Sequence, residues 1–267
     1  MSKVVLITGG SSGIGKSIGE FLHHKGFIVY GTSRNPDRIL NSIFPLVTLD
    51  VRNANSIQLA VFEVIAASGK LDVVINNAGV GITGPLEEIP MEEIKNNFET
   101  NFFGPIEVMK AVLPQMRSQK SGLIINITSI AGYMGLPYRS IYSASKGALE
   151  LITEALRMEV KSFGINITNI APGDFATNIA AGRFHAPVIE GSVYELAYGH
   201  NLKTMDEHVG SGSNPNEIAE AVFAVIENPS PKIHYKIGAF MQKFSIVLKR
   251  ILPDKMYEKM LMNHYKL

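Results

Sequence analysis

"VVLITGGSSGIGKSIGEFL", from Val4 to Leu22, joins a short apolar run to a helical pattern through a turn rich in glycine and serine. The opening run is continuously apolar rather than alternating, as in a parallel strand covered on both faces. Gly9, Gly13 and Gly15 then stand at the spacing G-x-x-x-G-x-G, where the strand gives way to an amphipathic segment around residues 14–25. Glycine at such a turn lets the backbone fold back tightly and lets a pyrophosphate approach amide N–H groups at a helix N-terminus. Glycines alone mark any tight turn. Their place after the first strand, with a second strand following on schedule, points to dinucleotide binding.

The same rhythm runs outward through the chain. Runs at 4–8, 27–33, 46–51, 72–79, 123–129 and 165–173 read as strands, and "HYKIGAF" (234–240) reads as one more. Amphipathic segments around 14–25, 54–67, 91–117 and 142–163 lie between them. Alternation of this kind predicts an α/β protein with a doubly wound parallel sheet of about seven strands and helices on both faces. With no internal repeat, low-complexity stretch or linker, residues 1–267 read as a single-domain Rossmann fold. Two segments break the rhythm. Residues 178–214 lack strand character and read as a substrate lid, and 240–267 form a helical extension.

Composition narrows the classes of function. The 267 residues are 46% apolar and 18% charged, and mean hydropathy is +0.12, as in a compact protein rather than a disordered one. A net charge of +1 gives no reason to expect a nucleic-acid partner. The absence of cysteine excludes disulfides, thiolate nucleophiles and Cys-based metal sites, and no metal centre is expected. The apolar run at the N-terminus is too short for a signal sequence, and no stretch reaches the roughly 18 apolar residues of a membrane span. A cytoplasmic location is the expectation. The tail "KIGAFMQKFSIVLKRILPDKMYEKMLMNHYKL" is amphipathic and basic, so it reads either as a docked helix pair or as a surface that touches lipid or a partner.

The end of the second strand decides the nucleotide. NAD binders usually place Asp or Glu there to hold the ribose 2′-OH. Here Ser33 takes that place and Arg34 follows. A guanidinium and hydroxyls, with no carboxylate to repel a 2′-phosphate, favour NADP(H).

Further on, "IYSASKGALELITEALRMEV" (141–160) sets Tyr142 and Lys146 one helical turn apart on the same side. On spacing alone the pair reads as two ordinary residues on a helix rim, since a Tyr and a Lys four apart arise often by chance. With the phosphate turn, Ser129 thirteen residues upstream of Tyr142 and "PG" at 172–173 downstream, it reads as a reactive acid with its tuning cation. Reducing a carbonyl by hydride transfer develops negative charge on oxygen and needs a proton donor within reach. Tyrosine, with an ordinary pKa near about 10, holds its proton at neutral pH, and a neighbouring ammonium favours the phenolate. The Ser129 hydroxyl at a strand end can hydrogen-bond and orient the same carbonyl.

The motifs "TGGSSGIG", "NNAG", Ser129, "YSASK" and "PG", in that order, make the chain closely resemble the short-chain dehydrogenase/reductase family over essentially its whole length. The resemblance implies a catalytic tetrad of Asn101, Ser129, Tyr142 and Lys146. It implies cofactor contacts from Gly9, Ser11, Ser12, Gly13, Ile14 and Gly15 in the turn. Ser33, Arg34, Asp50 and Val51 would serve the adenosine end. Asn77, Ala78 and Gly79, with Tyr142, Lys146, Pro172, Gly173, Phe175 and Thr177, would line the rest.

The chain lacks the glycine-rich "VDGG"-like ending of many 3-oxoacyl thioester reductases. Its longer basic tail resembles the branch of 17β-hydroxysteroid and retinol dehydrogenases. The expected activity is NADPH-dependent reduction of a ketone or aldehyde to an alcohol, or the reverse. The expected substrate is bulky and apolar, walled by Ala131–Tyr138 and by 178–214, with Phe184, Tyr194, Tyr198 and Met205. The alternatives are a 3-oxoacyl thioester reductase and a non-catalytic NADP(H)-sensing protein. A homodimer through the helices holding Asn101 and Tyr142 is compatible with their apolar faces.

Overall fold

A computed structural model of the chain describes residues 2–175, 182–209 and 214–267. In chain order the first half runs β1 (Val4–Ile7), α1 (Gly13–His24), β2 (Ile28–Ser33), β3 (Leu46–Thr48), α2 (Ala54–Ser68), β4 (Val73–Asn76), β5 (Ile82–Thr83), α3 (Met91–Phe98) and α4 (Gly104–Gln119). The second half runs β6 (Gly122–Ile127), α5 (Ser140–Glu159), β7 (Ile165–Pro172), β8 (Phe184–His185), α6 (Glu195–Val209), α7 (Asn216–Glu227), β9 (His234–Ile237), α8 (Phe240–Ile251) and α9 (Asp254–Tyr265).

Seven strands form one parallel sheet in the order β3-β2-β1-β4-β6-β7-β9. This is the expected doubly wound Rossmann arrangement. Apolar side chains cover both faces because the strands carry them on both. On one face Leu6, Val74 and Ile124 meet Val61 of α2, Val112 of α4 and Leu149 of α5. On the other, Val5, Ile75 and Ile125 meet Ile18 of α1 and Val222 of α7. Winding changes direction between β1 and β4, which opens a crevice beyond the carboxyl ends of those two strands.

Several boundaries differ from the sequence reading, among them the strands expected over 72–79 and 234–240, which end at Asn76 and Ile237. The strand expected over 46–51 ends at Thr48. Beyond it the Asp50 amide donates to Ser56 Oγ (3.0 Å) and the Arg52 amide donates to Asp50 Oδ1 (3.0 Å), so side chains capture the backbone that a ladder would need. The helix expected over 91–117 is interrupted by a π turn at Glu99–Phe103. The segment 178–214, expected to lack strand, contains β8 paired in parallel with β5, followed by α6. Two residues are too few for a strand pattern to show in sequence. Pairing is stabilised instead by Ile82, Ile89, Ala186 and Tyr198, which bury one another.

At the C-terminus, α8 and α9 follow β9. Ile246 and Tyr257 pack with Ile130 and Met134 of the loop after β6.

Candidate active site

The crevice between β1 and β4 opens into a cavity of about 900 Å³. Gly9 and Gly13 take φ of +65° and +53°, in the left-handed region that side chains disfavour, and so turn the chain from β1 into α1. The Gly9 amide donates to Thr32 Oγ1 (3.1 Å), and Asn77 Nδ2 donates to the Thr8 and Gly9 carbonyls (2.9 and 3.2 Å). Ser11, Ser12, Gly13 and Ile14 line the cavity with Gly9. Gly15 does not. It lies beneath the turn, where a Cβ would stand 2.4 Å from both the Gly9 carbonyl oxygen and Asn77 Nδ2.

The residues present fit a dinucleotide. Ser12, at the N-cap of α1, makes no side-chain cap, and the first turn carries no acid, so the helix's first amides have no side-chain acceptor of their own. Ser33, Arg34, Asp50 and Val51 line the adenosine end, and Asn77, Ala78, Gly79, Pro172, Gly173 and Phe175 line the remainder. Thr177 lies outside the described residues, as do the other residues of 176–181 and 210–213 within or beside the expected lid. Burial pushes the Asp50 carboxyl up, but the amide and guanidinium of Arg52, with the charge of Arg34, prevail and hold it below its ordinary value. Arg38, on the short turn Pro36–Arg38, joins Arg34 on this wall. Sequence reading passed over Arg38 because only that turn brings it back to the cavity.

At the other end, Ser129, Tyr142 and Lys146 line the same cavity. The first turns of α5 carry Tyr142 and Lys146, and Ser129 sits just past β6, its Oγ accepting from the Ala131 amide (3.1 Å). Lys146 is buried, and its Nζ donates to the Ile127 carbonyl (2.9 Å). Burial pulls its ammonium pKa down, while the Tyr142 phenol and the Glu150 carboxylate oppose that shift. Asn101 is fully buried in the π turn and stands behind the cavity wall rather than on it. Its Oδ1 accepts from the Val80 amide and its Nδ2 donates to the Val80 carbonyl, both at 2.8 Å. Asn97 and Ser145, absent from the sequence reading, extend this support through a 2.9 Å bond from Ser145 Oγ to Asn97 Oδ1.

The expected substrate wall is partly redrawn. Phe184 and Met205 line the cavity, whereas Ala131–Tyr138 do not. Met134 faces the C-terminal helices instead, and Tyr138 joins the Ile82 cluster. Tyr198 is fully buried there, its hydroxyl donating to the Ala186 carbonyl (2.8 Å). Arg139, His264 and Tyr265 do reach the cavity, and the Arg139 guanidinium lies 5.4 Å from the Tyr142 ring centroid. His264 and Tyr265 end α9, some 120 residues beyond Tyr142, a distance no local pattern spans.

One turn past Lys146, buried Glu150 anchors the helix from behind. It accepts from Thr128 Oγ1, from the Tyr133 hydroxyl (2.7 Å) and from Asn169 Nδ2 (2.9 Å), and its Oε2 lies 2.8 Å from His234 Nδ1. Burial, then the charge of Glu150, pushes the Tyr133 phenol up, so it remains a donor across the working pH range. Truncation at Glu150 would remove one acceptor from all of these groups at once, leaving Thr128 only the Ile170 carbonyl, Asn169 Nδ2 only the residue-150 carbonyl and His234 the Tyr133 hydroxyl and the Glu154 carboxylate. Glu150→Ala is expected to lower stability by about 3 kcal/mol or more. Thermal melting followed by circular dichroism should show a fall of roughly 6–12 °C.

The family model described as short chain dehydrogenase matches residues 3–187. The chain belongs to the short-chain dehydrogenase/reductase family. Membership makes it an oxidoreductase that works with a nicotinamide dinucleotide. Among curated relatives, this short-chain dehydrogenase/reductase is 40% identical to the 3-ketodihydrosphingosine reductase of Bacteroides thetaiotaomicron, over 96% of this chain and 95% of that protein. Among solved structures, it matches a short-chain dehydrogenase from Streptomyces avermitilis with a TM-score of 0.82, at 28% identity, over 100% of this chain and 96% of that one. It also matches ElxO with NADP bound, with a TM-score of 0.74, at 26% identity, over 89% of this chain and 97% of that one. Full-length similarity, tail included, agrees with the steroid and retinol dehydrogenase-like branch of the family.

Proposed function

We propose that this protein is an NADP(H)-dependent carbonyl reductase acting on a long, mostly apolar keto compound, with Tyr142 as the general acid. One observation carries the reading: Tyr142, Lys146 and Ser129 line the cavity whose other end is the uncapped N-terminus of α1. When bound there, the cofactor supplies or accepts a hydride. The Tyr142 hydroxyl gives its proton to the carbonyl oxygen as charge develops on it, and takes it back in the reverse direction. Lys146, fixed by the Ile127 carbonyl, places its ammonium beside the phenol and favours the phenolate that results. Ser129 donates to the same oxygen and orients it. Asn101 acts from behind the wall, holding Val80 and so the loop after β4 in place. Arg34 and Arg38 would pair with a 2′-phosphate. On this reading residues 1–267 form one NADP(H)-binding domain, with 178–214 and 240–267 closing over the substrate.

Support for a lipid-like substrate comes from Ile82, Phe184, Met205 and Tyr265 along the cavity, and from full-length similarity to a 3-ketodihydrosphingosine reductase. Cofactor oxidation should be followed at 340 nm with NADPH or NADH and three classes of carbonyl: a long-chain ketone, a short ketone and a 3-oxoacyl thioester. NADPH with the long-chain ketone should give the highest kcat/KM. Preference for the thioester would replace this substrate class with the acyl reductase one, and NADPH binding without turnover on any carbonyl would leave a sensor.

A further inference from the structure

The charge of the chain is unevenly placed. From Lys232 onward, eight cationic residues face two acidic ones, a net +6 in a chain whose total is only +1. The remainder is therefore acidic by five charges, and the basic end coincides with α8 and α9. Such segregation inside one compact chain marks a surface that meets an anionic partner.

That end also exposes apolar side chains in an ordered row. Helix α8 turns Ile246 inward against Ile130, Met134 and Tyr257, with Leu248 and Leu252 packed beside them. On its opposite side Phe240, Phe244, Val247 and Ile251 recur at helical spacing and stand exposed, Phe240 and Ile251 each at 72%. The Phe240 and Phe244 rings stack 5.7 Å apart at an interplanar angle of 11°, so the start of the row is a flat aromatic face in water. Lys243 and Arg250 flank the row at helical spacing. Among the described residues neither has a carboxylate within ion-pair distance. Arg250 also lies close to Lys236, whose ammonium is pulled down by burial and then by that neighbouring charge.

We infer that the exposed face of α8 is a docking surface for an anionic lipid bilayer. An apolar stripe bordered by cations matches the boundary between acyl chains and phosphates: the rings and Ile251 enter the former while Lys243 and Arg250 meet the latter. Two other occupants fit less well. A second copy packed about a two-fold axis would set Lys243 and Arg250 against their own counterparts. A nucleic-acid backbone would accept the cations and leave the Phe240–Ile251 row with nothing to bury against. No helix among the described residues is long and apolar enough to cross a membrane, so the contact is one of lying on the surface.

The docked face adjoins the cavity. Two residues beyond Phe240, Gln242 Nε2 donates to Asp174 Oδ2 (2.7 Å), and Asp174 lines the cavity together with His264 and Tyr265 of α9. Docking through α8 would therefore bring the cavity near the lipid surface. Delivery of a substrate from that surface rests on the proposed function; docking itself does not.

Flotation of the full chain with phosphatidylcholine vesicles, with and without phosphatidylglycerol, tests the inference separately from turnover. The chain should float with the anionic vesicles and much less with neutral ones. Phe240→Ser/Phe244→Ser/Ile251→Ser and Lys243→Glu/Arg250→Glu should each lower the bound fraction about tenfold or more. Both should keep NADPH binding and melting temperature, since none of these residues lines the cavity or the core. Equal flotation by the variants, or none by the unaltered chain, would overturn the inference. So would a dimer seen by sedimentation velocity that the triple Ser variant dissolves in the absence of lipid.

Discussion

Replacing Tyr142 by Phe is expected to lower kcat by about 10²–10⁴-fold while the affinity for NADPH changes little. The substitution removes one oxygen and keeps the ring on which the Arg139 guanidinium lies, so packing at the start of α5 survives. What is lost is the only phenol one turn before Lys146, and with it the proton that neutralises the developing alkoxide. A Ser129 hydroxyl can still hydrogen-bond the carbonyl, but with an alcohol's pKa it cannot give the proton up at a comparable rate. The loss should therefore fall on kcat more than on KM. Nicotinamide fluorescence titration reports binding, and single-turnover decay of NADPH absorbance reports the chemical step. An undiminished single-turnover rate in a variant that binds NADPH normally would remove Tyr142 from the mechanism. Loss of both binding and turnover would indicate a structural role instead.

How much of this site could be read in the sequence depends on how local its parts are. The turn Gly9–Gly15 and the pair Tyr142–Lys146 each lie within a few residues, and the strand and helix periods fix their placement at the sheet's carboxyl edge. Both were legible. The seven-stranded parallel sheet was legible for the same reason, since strands covered on both faces are continuously apolar. Parts assembled from distant segments were not. Glu150 is an unremarkable acid on a helix until Thr128, Tyr133, Asn169 and His234 converge on it from the loop after β6, from β7 and from β9. Likewise His264 and Tyr265 reach the cavity only because α9 packs back over Met134. The reading of Tyr198 as substrate wall failed in the same way: an aromatic residue in a glycine-bearing segment gave no sign that a two-residue strand would bury it.

Reversal of charge at Arg34 and Arg38 should separate the two nicotinamide cofactors more than any other change on the adenosine wall. Both side chains are exposed at the rim of the cavity, beyond the end of β2, where Ser33 stands in place of the acid that would hold a ribose 2′-OH. A guanidinium bonded to a phosphate forms a charge-assisted pair worth about 1.5–3 kcal/mol. Exposure and salt screening favour the lower figure. Two such pairs at that figure amount to about 3 kcal/mol, or roughly 150-fold in affinity. Glutamates in their place add repulsion against a 2′-phosphate. Arg34→Glu/Arg38→Glu is therefore expected to weaken NADPH binding by about 10²-fold or more, and NADH binding by no more than about threefold. Asp50 retains its contacts with Arg52, so the wall beneath the adenine should keep its shape. Because the lost pairs are electrostatic and solvent-exposed, the gap between the unaltered chain and the variant should narrow as ionic strength rises. Fluorescence titrations with both cofactors at low and high salt measure these quantities together. An equal loss for NADH and NADPH would show that the arginines shape the crevice rather than read the 2′-phosphate.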